Sequence, residues 1–338
     1  MIKVYDSDER QFNNNGNVVL LPTKARVHNE DNGDFYLDLD CSLKYADYVK
    51  ENNIIVVPTP QGEQPFRIRS YTVNNKRISV KAWHTYYDSN NYLIVDSYVQ
   101  GLNANDALNH LNNATTPVSA FRVYSDIVSV NNFRCVRKSL NEAIEVVIER
   151  WGGHLIRDKW QIKLLNKIGR DNGITVEYRK NIKDISVEYD WSDVVTKLLP
   201  VGDNETMLDD PFLTSATQYA IPYCKTVEFS QEGIEQEDYD TEAAYIAAVK
   251  VLLRKQATEY LKANCVPKVS YTLKANPELV TDIGDYILVK DKEIGIDLIT
   301  QVTAYEYDTI TERYTSLEFG NYKKTIRGAI EQLINLSK

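Results

Sequence analysis

Four histidines, four cysteines and 48 acidic residues are the groups in this 338-residue chain that could bind a metal, move a proton or attack a carbonyl. A protein metal site needs several ligands, and a catalytic or structural zinc site usually betrays itself by short spacings. His28, His84, His110 and His154 form no HExxH, HxxxH or HxH pattern, and no cysteine lies near any of them. Cys41, Cys135, Cys224 and Cys265 are far apart and make no CxxC pair, so neither a zinc site nor a disulfide framework is indicated. His84 follows a strand-like run and shares an aromatic cluster with Trp83, Tyr86 and Tyr87. It reads as a packed histidine at a strand end.

Nucleophilic catalysis needs a serine or cysteine activated by a neighbouring base. The sequence holds no GxSxG elbow and no cysteine-protease context around its thiols. Glycoside hydrolysis needs two carboxylates a few ångströms apart. Glu145 and Glu149 have helical spacing, but read as a solvated helix face. The acidic stretch Glu30-Asp31-Asn32-Gly33-Asp34 lacks the EF-hand spacing and its distal glutamate, and reads as a hairpin turn. Asp203-Asn204-Glu205 with Asp209-Asp210 reads as a solvated loop. Gly152-Gly153 is a helix stop rather than a phosphate loop. These residues assign no catalytic position, no cofactor site and no metal site.

The bulk composition agrees with an ordinary folded chain: 43% hydrophobic and 26% charged residues. At roughly 100–200 residues per domain, two or three domains are expected. Tyrosine is over-used, with 23 against 8 Phe and 4 Trp. That suits half-buried strand surfaces and wet interfaces, because the ring is apolar and the hydroxyl stays hydrated. A net charge of −9 without any basic run argues against gripping phosphate backbones. Met1-Ile2-Lys3-Val4-Tyr5-Asp6 lacks a signal-peptide core, and no apolar stretch reaches the roughly 20 residues a membrane span needs. The chain is expected to be made in the cytoplasm, without export by the usual route and without membrane insertion.

The elements that would carry these residues are mostly strands. Phe35, Leu37, Leu39 and Cys41 alternate with Tyr36, Asp38 and Asp40, the period-two mark of a half-buried strand. Asn32-Gly33 before them signals a type I′ turn with positive φ at both positions, its preceding arm being Lys24 to Asn29. Ile54 to Val57, Phe66 to Arg69 and Ile78 to Ala82 are further strands, the last two joined through Asn74-Asn75. Asn105 to Leu111 reads as a short helix. Ser139-Leu140-Asn141-Glu142 is a capping box opening a helix with Leu140, Ala143, Ile144, Val147, Ile148 and Trp151 on one side. Strands follow at Leu155 to Arg157, Trp160 to Leu164 and Ile174 to Tyr178. A long helix begins after Asp240 or Thr241, and strands return at Tyr286 to Lys290, Asp297 to Tyr307 and Arg313 to Phe319. Lys323 to Leu336 is expected to be a helix that needs a partner.

The expected architecture is mainly β with an α/β insertion. Residues 1–98 would form a first β domain, 99–190 an α/β domain, and 191–322 a second β domain with an inserted helix at about 241–263; residues 323–338 would be the C-terminal helix.

Several of these segments, in this order, resemble the phage tail hub family, the prophage tail or tail-associated lysin proteins of long-tailed phages infecting Gram-positive bacteria. The carrying residues are Gln64 to Ile68 with Ile78 to His84 and Tyr87-Asp88, then Glu149 to Gly153, Gly169 to Ile174 leading to Lys180-Asn181-Ile182, Asp193 to Gly202, and Asp282 to Asp285 with Gly320-Asn321. The resemblance spans roughly residues 1–325. It implies small β-barrels, two per subunit, lining a homotrimeric ring at the tail tip, through which DNA passes without specific binding. It implies the distal tail protein, the tape-measure protein and a receptor-binding protein as partners. Longer family members carry a C-terminal extension, often a cell-wall endopeptidase, whereas here the chain stops soon after the last barrel strand, so that activity does not transfer. Two competing readings are a peptidoglycan hydrolase, which needs chemistry not found above, and a glycan-binding module using Trp83, Tyr86, Tyr87 and Tyr92 as its platform.

Overall fold

The computed structural model describes residues 1–177, 182–231, 234, 236, 239–275, 281–291 and 296–320. The helix expected over 323–336 lies outside them. The chain divides into two compact units, the first made of Met1–Ser186 with Tyr271–Gly320 and the second built on Val187–Ser270.

Among the described residues the first unit is dominated by one large sheet. From its N-terminal edge the neighbours run Val18–Leu20, Ile2–Tyr5, Ile54–Thr59, Gly62–Val73, Ile78–His84, Phe35–Cys41, Lys24–Glu30 and Ile296–Asp308. Every pairing along this path is antiparallel. The period-two reading of Phe35–Cys41 holds: Phe35, Leu37, Leu39 and Cys41 are buried, and the residues between them are half-buried. Ile296–Asp308 is long enough to serve several partners. Its first part pairs with Tyr286–Asp291, its last part with Lys24–Glu30, and Arg313–Gly320 takes its other side. The two β-rich segments therefore share one sheet. The closed barrels implied by the family resemblance are not found among the described residues. The reason is visible in the order of the ladders, which run from one segment into the other instead of each segment returning to its own first strand.

Two helices and two three-stranded sheets complete this unit among the described residues. Ala104–Asn113 is capped by Asn103, and Leu140–Trp151 by the expected capping box, with Ser139 Oγ accepting from Glu142 N and Glu142 Oε2 accepting from Ser139 N. Gly152 ends the second helix at a φ of +80°, open to glycine at no steric cost. Leu108, Leu111, Ile144, Val147 and Trp151 form one core with Phe121, just before a strand, and with Phe133, Ile162 and Leu164 from the neighbouring strands. Those strands are Arg122–Ser125, Gln161–Leu165 and His154–Asp158 in one sheet, and Val130–Ser139, Leu93–Asn103 and Thr115–Thr116 in the other.

In the second unit Lys197–Val201 lies between Leu213–Thr214 and Cys224–Glu228. Helix Glu242–Asn264 starts at Thr241, whose hydroxyl accepts from Ala244 N. It buries Val249, Leu253, Ala257 and Leu261, one residue per turn, and Ala257 and Leu261 pack with Val195 and Leu198.

One local expectation is corrected. Asn32 takes a positive φ of 52°, but Gly33 does not, so the turn is not type I′. The strands end at Glu30 and resume at Phe35, and the intervening loop is held by partners elsewhere in the unit.

Candidate functional site

Some of the polar groups flagged in the sequence meet at a half-buried joint where the loop after Lys24–Glu30 meets strand His154–Asp158. Asn32 imitates a strand neighbour: its Nδ2 donates to Gly153 O at 3.0 Å and its Oδ1 accepts from Leu155 N at 2.8 Å. His154 Nδ1 lies 2.9 Å from Asp31 Oδ2. Arg157, 4% exposed, sends its guanidinium into the same loop. It donates to Asn29 Oδ1 at 2.9 Å, to Glu30 O at 2.6 Å and to Gly33 O. Its plane also lies over Phe35 and Tyr86, at 5.2 and 5.7 Å from the ring centres. Tyr87 closes the joint, its hydroxyl donating to Gly33 O at 3.1 Å and accepting from Phe35 N at 3.2 Å.

His84 belongs to the adjoining layer. Its Nδ1 accepts from Tyr86 N at 3.1 Å, which leaves the proton on Nε2, 3.2 Å from Gln64 Oε1. Gln64 in turn accepts from Lys159 N and donates to Asp158 Oδ1, tying the sheet to the turn after Asp158. Phe35 stacks on the imidazole at 4.5 Å. Burial, and next the charge of Arg157, hold this histidine well below its ordinary pKa. The fold therefore binds the neutral ring, while the unfolded imidazole titrates near about 6.5. Below that pH the unfolded chain takes up a proton that the folded chain refuses. The contribution is complete above about pH 6.5 and is lost on acidification by up to about 1.4 kcal/mol per pH unit. Urea unfolding of wild type and His84→Gln at about pH 6.5 and about pH 5.5 checks this. The variant is expected to show the shallower dependence, and equal slopes would remove His84 as the cause.

A second buried ion cluster pins the sheet to the segment after it. Asp88 accepts from Arg67 Nε and NH2 at 2.8 and 2.7 Å, and from Arg69 NH2 at 2.8 Å. Arg67 NH1 donates onward to Ser7 O and Asn52 O. Sequence periodicity missed this cluster because Arg67 sits at a position that alternates like a solvent-facing residue.

The environment of Asp282 was not legible in the sequence. Its half-buried carboxyl is pushed up to about 6, burial being the largest cause. It accepts from Ile283 N at 2.8 Å and from Gln61 Nε2 at 3.2 Å. Asp285 beside it is filled by Arg170 N, Asn172 Nδ2 and Asp282 N. A carboxyl poised near neutrality can serve as a general acid or base. Here its described contacts are an amide, a backbone N–H and a filled carboxylate, which fix a loop.

The remaining sequence candidates fall apart in space. His28 stacks on Tyr36 at 5.0 Å and His110 is exposed on its helix. Cys41 and Cys135 are buried, their thiols pushed up to about 11 by desolvation, which removes thiolate character. Glu145 and Glu149 are exposed, and Asn141 Nδ2 donates to Glu145. Asp203 exchanges hydrogen bonds with Gln231, and Asp209 pairs with Lys250 at 2.5 Å. The proposed sugar platform is not a platform: Tyr86 is 3% exposed, Tyr87 is spent on the joint, and Tyr92 packs edge-on to Phe121. Among the described residues no group of three or more His, Cys, Asp or Glu could hold a metal ion. No helix among them is long and apolar enough to cross a membrane.

Residues 170–329 match the family model described as prophage endopeptidase tail. No curated protein matches the chain. Among solved structures, the chain is similar to a prophage tail protein from Listeria monocytogenes, with 16% identity, 100% of this chain and 99% of that one covered, and a TM-score of 0.65. It is similar to a prophage 43 kDa tail protein from Shewanella oneidensis at 11% identity, over 94% and 97% of the two chains, also at 0.65. A tail protein from Neisseria meningitidis gives 12% identity, 97% and 98% coverage, and 0.65. An E. coli component of the type VI secretion system, itself similar to bacteriophage T4 tail proteins, gives 9% identity, 95% and 76% coverage, and 0.54. The mainly β architecture with few helices is thus that of phage tail proteins, as the sequence resemblance led one to expect.

Proposed function

We propose that this chain is a structural hub of a phage or prophage tail tip, assembling as a homotrimeric ring that continues or closes the tail tube. The observation that carries this reading is the shared fold from end to end with a prophage tail protein, both chains being covered almost completely. Its partners are then the distal tail protein and the tape-measure protein, and beyond them a receptor-binding protein. Its place is the virion tail tip. DNA passes the ring without being gripped, in keeping with the net charge of −9 and the lack of any basic run.

The hub is non-enzymatic in this reading, despite the endopeptidase in the family description. The buried ionisable groups Arg67, Asp88, His84, Arg157 and Asp285 are engaged in holding strands and loops together. A fold is not an activity, and a peptidase requires a site with a nucleophile or a metal-activated water.

The test is the mass of the purified chain by light scattering across a concentration series, with and without the distal tail protein, followed by imaging. A three-chain mass and a central hole are expected. A stable twofold dimer under both conditions, or absence of the chain from purified tail tips, would overturn the reading.

A further inference from the structure

Asparagine followed by glycine is a chemically reactive pair, and this chain holds three of them: Asn15-Gly16, Asn32-Gly33 and Asn172-Gly173. The backbone nitrogen of the glycine can attack the side-chain carbonyl carbon of the asparagine. Glycine permits this because it has no Cβ to block the approach and reaches backbone conformations closed to other residues. The asparagine side chain must first rotate onto the following nitrogen. A side chain held by hydrogen bonds has to give them up to do so.

The attacking nitrogens are placed alike, each donating to a nearby oxygen. Gly16 N donates to Asn14 Oδ1 at 2.7 Å, Gly33 N to Glu30 O at 3.2 Å and Gly173 N to Asp171 Oδ1 at 3.0 Å. The asparagine side chains differ. Asn32 is held at both ends, its Nδ2 by Gly153 O and its Oδ1 by Leu155 N. Asn172 lies in strand Asp171–Glu177, and its Nδ2 donates to Asp285 Oδ2 at 3.1 Å. A hydrogen bond to a carboxylate is among the stronger ones, and it feeds electron density into the amide, which makes the amide carbon a poorer target. Asn15 lies between strands Ile2–Tyr5 and Val18–Leu20, outside any helix or strand, and is exposed. Its side chain makes no hydrogen bond among the described residues.

We propose that Asn15 is a site of spontaneous modification, converting through a cyclic imide with Gly16 to a mixture of aspartate and isoaspartate, while the folded chain protects Asn32 and Asn172. Gly16 N bonds to Asn15 Cγ, the Cγ–Nδ2 bond breaks, and the proton lost by Gly16 N leaves with that nitrogen as ammonia. Water then opens the imide. Entry at Cγ frees the side chain from Gly16 N and leaves an ordinary aspartate. Entry at the main-chain carbonyl carbon of position 15 breaks its bond to Gly16 N instead. The chain then runs through the side chain, as isoaspartate.

The consequence follows from crowding. Isoaspartate adds a methylene to the main chain just ahead of Gly16. Gly16 has no room on its sheet side, since a Cβ there would stand 2.3 Å from Val4 O. The residue after it sets the edge of the sheet: Asn17 N donates to Val4 O at 2.8 Å and Asn17 Nδ2 to Asp6 Oδ1 at 2.7 Å, with Val18 opposite Val4. The new carboxylate also joins Asp6, Asp8 and Glu9, which line one depression with Asn14 and Gly16. The modified chain therefore holds strand Val18–Leu20 less firmly, and with it the buried Leu20.

The test is incubation of the full folded chain in mildly alkaline buffer, which favours loss of the Gly16 amide proton, then digestion at acidic pH and mass spectrometry of the peptides. A parallel sample is unfolded in guanidinium chloride. In the folded chain the peptide holding Asn15 should gain the mass of an amide-to-acid exchange, part of it as isoaspartate. It should do so at least about tenfold faster than the peptides holding Asn32 and Asn172, which must break hydrogen bonds first. In the unfolded sample all three should convert at similar rates. Asn15→Gln should stay unmodified there and unfold like the fresh chain, whereas Asn15→Asp carries the charge without the added methylene. The aged wild type should unfold at lower denaturant than either variant. Faster conversion at Asn32 or Asn172 in the folded chain, or an Asn15 that reacts only after unfolding, would overturn the assignment. An aged wild type as stable as Asn15→Gln would overturn its consequence for the edge strand.

Discussion

Replacing Arg157 by alanine is expected to remove about 2–4 kcal/mol of folding stability, a large part of what a domain possesses. The guanidinium is buried, and among the described residues no carboxylate is its hydrogen-bond partner; its charge is met by Asn29 Oδ1 and the carbonyls of Glu30 and Gly33. Each acceptor gave up water to be there. Deleting the donor leaves buried Asn29 Oδ1 without this partner, at about 1–3 kcal/mol before relaxation, and takes one of two donors from each of the half-buried carbonyls of Glu30 and Gly33, which keep Gly33 N and the Tyr87 hydroxyl; the flat contacts to Phe35 and Tyr86 are lost as well. Lysine keeps the charge but offers a point donor instead of a planar fork, so Arg157→Lys should recover less than half of the loss. Urea midpoints for the two variants decide this. A loss below about 1 kcal/mol for alanine would mean that the loop, rather than Arg157, carries the joint.

The other large effect is expected at Gly169. Its φ is +80°, and a Cβ there would stand 1.8 Å from Gly284 O and 2.5 Å from Asp285 N. Both contacts are backbone, so no rotamer change relieves them. The loop after Gly284 must shift, and it carries Asp285, whose carboxylate binds Arg170 N and Asn172 Nδ2. Gly169→Ala should therefore cost about 3 kcal/mol or more, combining left-handed strain with displaced backbone. Gly173 supplies the control. It too has a positive φ, +65°, but a Cβ there meets nothing within 4 Å, so Gly173→Ala should cost only about 1 kcal/mol. Thermal unfolding of the two alanine variants side by side separates crowding from conformation. Equal losses would show that the close approach to Gly284 relaxes freely.

Much of the local structure was legible. The capping box at Ser139 fixes the start of its helix, because the motif satisfies the first free amides by itself. Period-two burial identified Phe35–Cys41 and its neighbours, because one face of each is apolar. Leu93–Asn103 and Val130–Ser139 were not recognised. In the first, exposed Val95 and Asp96 lie side by side and break the alternation, and in the second only Phe133, Cys135 and Ser139 are buried among polar residues. A strand with so little of its face in the core leaves almost no periodic signal.

The sequence alone determined element types, caps and the family likeness, since these depend on neighbours a few residues apart. The tertiary structure decided that Lys24–Glu30 pairs with the end of Ile296–Asp308, that Asn32 clamps Gly153 and Leu155, and that Gly169 crosses Gly284. It also turned the expected separate barrels into one shared sheet, buried Tyr86 and left Trp83, Tyr87 and Tyr92 half-buried among other rings. Such outcomes depend on contacts between residues as distant as Asn29 and Tyr305, 276 positions apart. Register over that separation is set by which faces fit and which polar groups find partners, and local periodicity carries no record of either.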